Sequence, residues 1–196
     1  MTELTGLVVC GGDSKRMGSD KSLIQYHSLP QRYHLYKMLQ TFCKNVFLSI
    51  NNEQSKNVQP AYEFICDSNE YAQHGPISGL LSAFEKYPNE NFLMIGCDYP
   101  MLSNEHIRML IDAGENGNTS CAFFNRAAGV YEPLLGIYTN SIREKLFENF
   151  NAQQFSLQHL LNEVSAIKVE LPVNIKSIDT TAEMRRFIKC HPIQRY

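Results

Sequence analysis

Along most of the chain, short apolar runs alternate with longer segments in which apolar positions recur every three to four residues. The runs have the length of buried strands and the longer segments the period of helices. Their alternation predicts parallel strands joined by crossover helices that cover both faces of the sheet. Strands are expected over residues 4–10, 45–51, 63–66, 92–96 and 119–124, then 132–138 and 166–171. Helices are expected over 30–43, 77–87, 104–113, 140–150, 155–162 and 180–190.

Local signals sharpen some of these boundaries. Residues 23–26 suggest a brief extended piece, and His27-Ser28-Leu29-Pro30 a turn that ends with Pro30 in the first turn of a helix, where a missing N–H costs nothing. Arg32, Leu35, Leu39 and Phe42 then fall on its core-facing side. Ser103 precedes Asn104-Glu105-His106, as a hydroxyl cap precedes a first turn with an acidic residue near its positive end. Gly114-Glu115-Asn116-Gly117-Asn118 is the clearest polar loop, and five residues are too few for an interdomain linker. With no repeats or low-complexity tracts, residues 1–196 are expected to form one domain.

Composition narrows the partners. A chain of 196 residues is long enough to bury about 70% of its unfolded surface without staples. Its net charge of -2 provides no global field for a polyanion, so nucleic acid is not an expected partner and phosphate binding must be local. No apolar run approaches the ~20 residues of a membrane span, and Met1-Thr2-Glu3 lacks the basic start of a secretory signal. The protein is therefore expected in the cytoplasm, without a membrane partner. The six cysteines form no C-x-x-C pair and read as small hydrophobes rather than disulfides or zinc ligands. The six histidines form no i, i+4 pair.

The richest chemistry lies in Val8-Val9-Cys10-Gly11-Gly12-Asp13-Ser14-Lys15-Arg16-Met17-Gly18-Ser19-Asp20-Lys21. Here an apolar strand runs into a glycine-hinged loop bearing two cations. Glycines let backbone N–H groups approach an anion closely, and Arg16 and Lys21 add charge to the same turn, so the segment suits a triphosphate. It is neither a Walker A loop, which needs Lys directly after the second Gly, nor the Gly-x-Gly-x-x-Gly dinucleotide fingerprint. That omission weighs against a dehydrogenase, and the lack of Gly-x-Ser-x-Gly weighs against a serine hydrolase.

Asp98, in Ile95-Gly96-Cys97-Asp98-Tyr99-Pro100, should emerge at the carboxyl end of a buried strand, the edge where open α/β sheets bind ligands. One carboxylate beside a triphosphate suffices for Mg²⁺, although an Asp there could instead cap the turn at Ser103. Gly75-Pro76-Ile77-Ser78-Gly79 opens a helix whose N-terminus can receive an anion or a base edge. Asp67 reads equally well as a ligand group or a solvated turn. Lys21 is the expected catalytic cation, since a compact ammonium can follow a migrating phosphate.

Residues 10–21 resemble the opening signature of the molybdenum cofactor guanylyltransferases, Gly-Gly-x-Ser-x-Arg-Met-Gly-x-Asp-Lys. The resemblance continues through Cys66-Asp67-Ser68, Gly75 to Gly79, Gly96 to Pro100 and Glu132-Pro133-Leu134. It implies a three-layer α/β/α, Rossmann-like nucleotidyltransferase fold with a mostly parallel sheet. It also implies transfer of GMP from GTP to a molybdopterin-type cofactor, with Asp98 as the Mg²⁺ ligand and Lys21, Arg16 and Asp98 as the catalytic group. Val9, Cys10, Gly11, Gly12, Lys21, Ser49, Asp67, Gly75 and Asp98 would line the nucleotide site, and Glu132-Pro133 would face the pterin. A monomer or weak homo-oligomer that hands cofactor to protein partners would fit that role. Cys10 replaces the family's Ala, Ser28 a Gly, and Asp179 and Thr181 the Asn and Pro of its Asn-x-Asn-Thr-Pro segment. Use of CTP, a sugar-phosphate acceptor, or a silent nucleotide-binding role are the alternatives.

Overall fold

The computed structural model describes residues 3–10, 20–115 and 119–190. Seven strands form one sheet in the order β3-β2-β1-β4-β6-β5-β7. They are β1 Leu4–Val9, β2 Asn45–Ile50, β3 Phe64–Cys66, β4 Asn91–Gly96, β5 Cys121–Asn125, β6 Val130–Tyr138 and β7 Ile167–Glu170. Six run parallel, and β6, antiparallel to both β4 and β5, is the exception. The helices are α1 Gln31–Leu39, α2 Asn52–Ser55, α3 Pro76–Lys86, α4 Asn104–Glu115, α5 Arg143–Asn151, α6 Leu157–Glu163 and α7 Thr181–Cys190.

The strand period explains the layers. Leu7 and Val9 point into one apolar cluster with Ile77, Leu80 and Phe84 of α3, Leu146 of α5 and Leu160 of α6. Val8 and Cys10 point into the other, with Leu35 and Leu39 of α1 and Ile107 and Leu110 of α4. Each fully buried Leu, Ile or Phe contributes about 1.5–3 kcal/mol by leaving water, so the two faces hold the sheet from both sides. Gly6 lets α1 settle close to the sheet, since a methyl group there would lie 3.0 Å from Leu39 Cδ1.

Every expected strand and helix is present, with some ends shifted. α1 is shorter than expected, and residues 40–42 form turns instead of a further helical turn. The extended piece expected at 23–26 starts a residue late: Lys21–Leu23 is a 3-10 turn capped by Asp20, and Ile24 after it is extended, with φ −65° and ψ 134°. Residues 140–142 are a separate 3-10 turn before α5. The helix α2 was not expected; its four residues carry too short a period to register. At the start of α4 Ser103 is engaged by a side chain: its N–H donates to His106 Nδ1 at 3.1 Å and its Oγ contacts the same ring nitrogen at 3.1 Å. Residues 116–118 of the polar loop lie outside the described residues.

Two irregularities shape the carboxyl edge. From β1 the chain steps outward to β2 and β3, then crosses back to β4 on the other side of β1, so the strand order reverses between β1 and β4. β6 enters the sheet from this same edge, and between the Gly136↔Ala122 and Tyr131↔Phe124 pairs it carries more residues than β5. Pro133 falls in that bulge, where its missing N–H breaks no ladder bond.

Candidate functional site

The reversal point sets four strand ends in a row. The Val9 carbonyl accepts from Cys97 N–H at 3.1 Å, the Ser49 carbonyl from Cys10 N–H at 2.9 Å, and the Ile50 carbonyl from Asp67 N–H at 2.9 Å. Val9, Cys10, Ser49, Asp67 and Asp98 therefore share one rim, the crevice where open α/β sheets take ligands. Cys10 and Cys97 are buried there with their sulfurs 3.6 Å apart. Cys121 is also buried, Cys43 and Cys66 are partly so, and Cys190 is exposed; all six are free thiols, so the expectation of buried hydrophobes holds for three.

Asp98 meets its neighbours through charge more than through hydrogen bonds. Burial pushes its carboxyl up to about 6; its own backbone N–H opposes the shift, Asp179 and Glu132 reinforce it, and Lys21 counters it. Oδ1 is buried and has no hydrogen-bond partner among the described residues. The carboxyl tucks against Gly96, where a methyl group would lie 2.5 Å from Oδ1 and 3.0 Å from Leu134. Since Ser103 is served by His106, Asp98 does not cap that turn. An orphaned, hard oxygen at the rim is what a divalent cation shared with phosphate oxygens requires, and Asp98 fits Mg²⁺ in that sense. Among the described residues no group of three or more His, Cys, Asp or Glu is arranged as a metal cage.

Lys21 and Asp98 are joined by a third segment. Lys21 Nζ donates to the Asp179 carbonyl at 2.9 Å and lies 3.6 Å from its carboxylate. One residue earlier, Ile178 N–H donates to the Asp98 carbonyl at 2.8 Å. Beyond it, Glu183 accepts from the N–H groups of Asp179 and Thr180 and starts α7. Tyr26 closes this side, its hydroxyl pushed up to about 12 by burial and by the Asp98 and Cys97 charges, and its ring edge-on to Phe187 of α7 at 5.3 Å. Tyr99 donates to Glu132 Oε2 at 2.8 Å, which brings the bulged start of β6 to the rim.

At the other end, Asp67 and Ser49 converge beneath α3. A methyl group on Gly79 would sit 2.1 Å from Ser49 Oγ and 3.7 Å from Asp67 Oδ1. Asp67 is half-buried, and that burial raises its carboxyl to about 6. Ser82 holds its loop, accepting from Ser68 N–H at 2.9 Å while donating to the Ser78 carbonyl. Gly75 has φ 76° and ψ −148°, a region open in practice to Gly alone, and this turns the chain into Pro76 at the first position of α3.

Gly11, Gly12 and Arg16 lie outside the described residues. The two flanks of that segment, Cys10 and Asp20, are both held by Gln54 of α2, a residue that motif reading passed over. Its signal was present in the Asn-x-x-Gln spacing of a capping box, Asn51 to Gln54, which the structure realises with reciprocal bonds of 2.9 and 3.1 Å.

A three-layer α/β/α fold with this strand reversal, matched over most of its length by an NTP transferase family, is that of a nucleotidyltransferase. The chain belongs to the MobA-like NTP transferase domain family, which its residues 6–168 match. It is 35% identical over 139 residues to a molybdenum cofactor biosynthesis bifunctional protein of Synechocystis sp., an alignment covering 70% of this chain and 40% of that longer protein. It is 25% identical over 201 residues to a probable molybdenum cofactor guanylyltransferase of Bacillus mycoides, covering 100% of this chain and 95% of the relative. In three dimensions it resembles molybdopterin-guanine dinucleotide biosynthesis protein A of Archaeoglobus fulgidus, with a TM-score of 0.74 at 19% identity over 95% of this chain and 98% of that one. Among the described residues no helix is long and apolar enough to cross a membrane.

Proposed function

We propose that this nucleotidyltransferase moves GMP from GTP to the phosphate of a molybdopterin-type cofactor in the cytoplasm, with Mg²⁺ held at Asp98. The observation that carries this reading is that residues 178–179 bind both the Lys21 ammonium and the backbone of Asp98, whose carboxylate keeps an orphaned oxygen at the strand reversal. The names of the Bacillus and Synechocystis relatives support the donor and acceptor.

In this reaction an acceptor phosphate oxygen forms a bond to the α-phosphorus of GTP. The bond to the bridging oxygen breaks, and pyrophosphate leaves with the electron pair. Lys21 neutralises the charge that grows on the leaving group, and Arg16 adds a second cation from the same loop. The backbone N–H groups of the loop that begins at Cys10, Gly11 and Gly12 hold the phosphates. Ser49, Asp67 and the α3 N-terminus at Gly75 receive the base and ribose, with Val9 lending backbone groups. Bound Mg²⁺ would supply Lewis-acid polarisation of the phosphate oxygens next to Asp98. Glu132, held by Tyr99, faces the acceptor.

Pyrophosphate release with purified protein, Mg²⁺ and molybdopterin tests the assignment, with GTP, CTP, ATP and UTP compared as donors. Turnover with GTP alone is expected. Turnover restricted to CTP, or only with a sugar phosphate as acceptor, overturns this choice of substrates while leaving the enzyme class intact.

A further inference from the structure

Gln54 commits its side-chain NH2 to the phosphate loop's two flanks. Its Nε2 donates to the Cys10 carbonyl at 3.0 Å and to Asp20 Oδ2 at 3.0 Å, which uses both amide hydrogens. Its Oε1 accepts from Asn51 N–H, so the cap of α2 fixes the amide's orientation. The residue is only 9% exposed. Asp20 is in turn fully occupied: Oδ1 accepts from both Ser22 N–H and Ser22 Oγ, which sets the 3-10 turn that starts at Lys21. Behind it lies Arg32, 1% exposed, with Nη1 at 3.9 Å from Asp20 Oδ2 and Nη2 donating to the Asn57 carbonyl.

We propose that Gln54 is a positioning residue for Lys21: by bridging the end of β1 to the Asp20 carboxylate, it fixes how far Lys21 stands from the carboxyl edge of the sheet. The inference rests on the reading of Lys21 as the phosphate-facing cation. The chain of contacts has no slack, because each member's orientation is set by a second bond. Gln54 cannot rotate without releasing Asn51 N–H, and Asp20 cannot move without releasing Ser22. Arg32 is a buried guanidinium with Asp20 as its nearby carboxylate, and leaving it without one would be strongly unfavourable. Gln54 carries no charge, so replacing it spares this ion pair and isolates the positioning effect.

The test compares the wild type with Gln54→Met, which matches the length of the side chain but cannot donate, and with Gln54→Glu, which sets a carboxylate against Asp20 and the Cys10 carbonyl. GTP affinity by titration calorimetry, kcat and KM, melting temperature, and hydrogen exchange of the amides of residues 20–24 are read on each. Gln54→Met is expected to melt within a few degrees of wild type, to weaken GTP binding about tenfold and to speed exchange at Ser22 and Leu23. Gln54→Glu is expected to be worse. Wild-type affinity and wild-type exchange in Gln54→Met overturn the proposal. If Gln54→Met does not fold, Gln54→Asn, one methylene too short for both partners, carries the same comparison. A wild-type protein that binds no GTP defeats the proposed donor instead, and the exchange at residues 20–24 still decides the role of Gln54.

Discussion

The ammonium of Lys21 is held by the main chain of Asp179, at 2.9 Å from its carbonyl, with the Asp179 carboxylate 3.6 Å away. An acidic side chain thus sits beside the cation that would face a triphosphate, and it also raises the Asp98 carboxyl. Asp179→Asn removes the negative charge and leaves the carbonyl contact. Because the pair is exposed and screened, its effect is modest: KM for the nucleotide should fall about two- to fivefold. Steady-state kinetics at low and high salt check this, with the difference shrinking as salt rises; an unchanged or higher KM at low salt would show that Asp179 does not compete for Lys21.

Asp98 keeps a carboxylate oxygen buried without a hydrogen-bond partner among the described residues. Such an arrangement serves a ligand and costs the free protein. Asp98→Asn should therefore lower kcat/KM by about 10³-fold or more while raising the melting temperature by a few degrees. Lys21→Met should match the kinetic loss without the gain in stability. A melting temperature that drops in Asp98→Asn would mean that the carboxylate is a structural anchor.

Gly79 is the point where α3 meets the end of β2, with room for no side chain beside Ser49 Oγ. Gly79→Ala should destabilise by about 1–3 kcal/mol through overpacking. Ser49→Ala in the same chain removes the offending oxygen and leaves Cβ at 3.2 Å, a close contact that a shift of a few tenths of an ångström relieves, so the double variant should recover part of the loss. Urea unfolding of the four proteins gives the coupling. Additive losses would place the strain elsewhere.

His34 stacks on His27 with ring centroids 3.9 Å apart. Burial, with the His27 charge as a lesser cause, pushes its imidazole down from 6.5 to about 4. The native state thus holds that proton more weakly than the unfolded chain. The associated stability is complete above pH 6.5 and is lost as pH falls toward 4. His34→Phe keeps the stack and removes the titration, so the difference in unfolding free energy between variant and wild type should grow by about 1–3 kcal/mol across that window. A constant difference from pH 7 to pH 4 would show that His34 protonates freely in the native protein.

The sheet was legible because Leu7, Val8, Ile95 and their neighbours are buried on both faces, and uninterrupted apolar runs carry that signature. The rim was legible for a related reason: Asp98 and Asp67 each follow such a run directly, and a strand end dictates where the next residue emerges. The partners of these groups were harder to read. Gln54 stands 34 positions from Asp20 and Asp179 stands 158 from Lys21, and no periodicity links residues so far apart. Arg32 was expected on a core-facing position, but its counter-charge depends on how α1 settles against the turn at Lys21. The reversed direction of β6 also escaped the pattern, since an apolar run has no arrow.

Had β6 run with its neighbours, Glu132 would have been delivered to the opposite side of the molecule, out of reach of Tyr99. Because it runs the other way, Tyr99 and Glu132, 33 positions apart in sequence, border the same opening. Changes in β6 therefore reshape this border of the opening through Glu132, whereas changes at Asp179, later still in the chain, reach Lys21 itself.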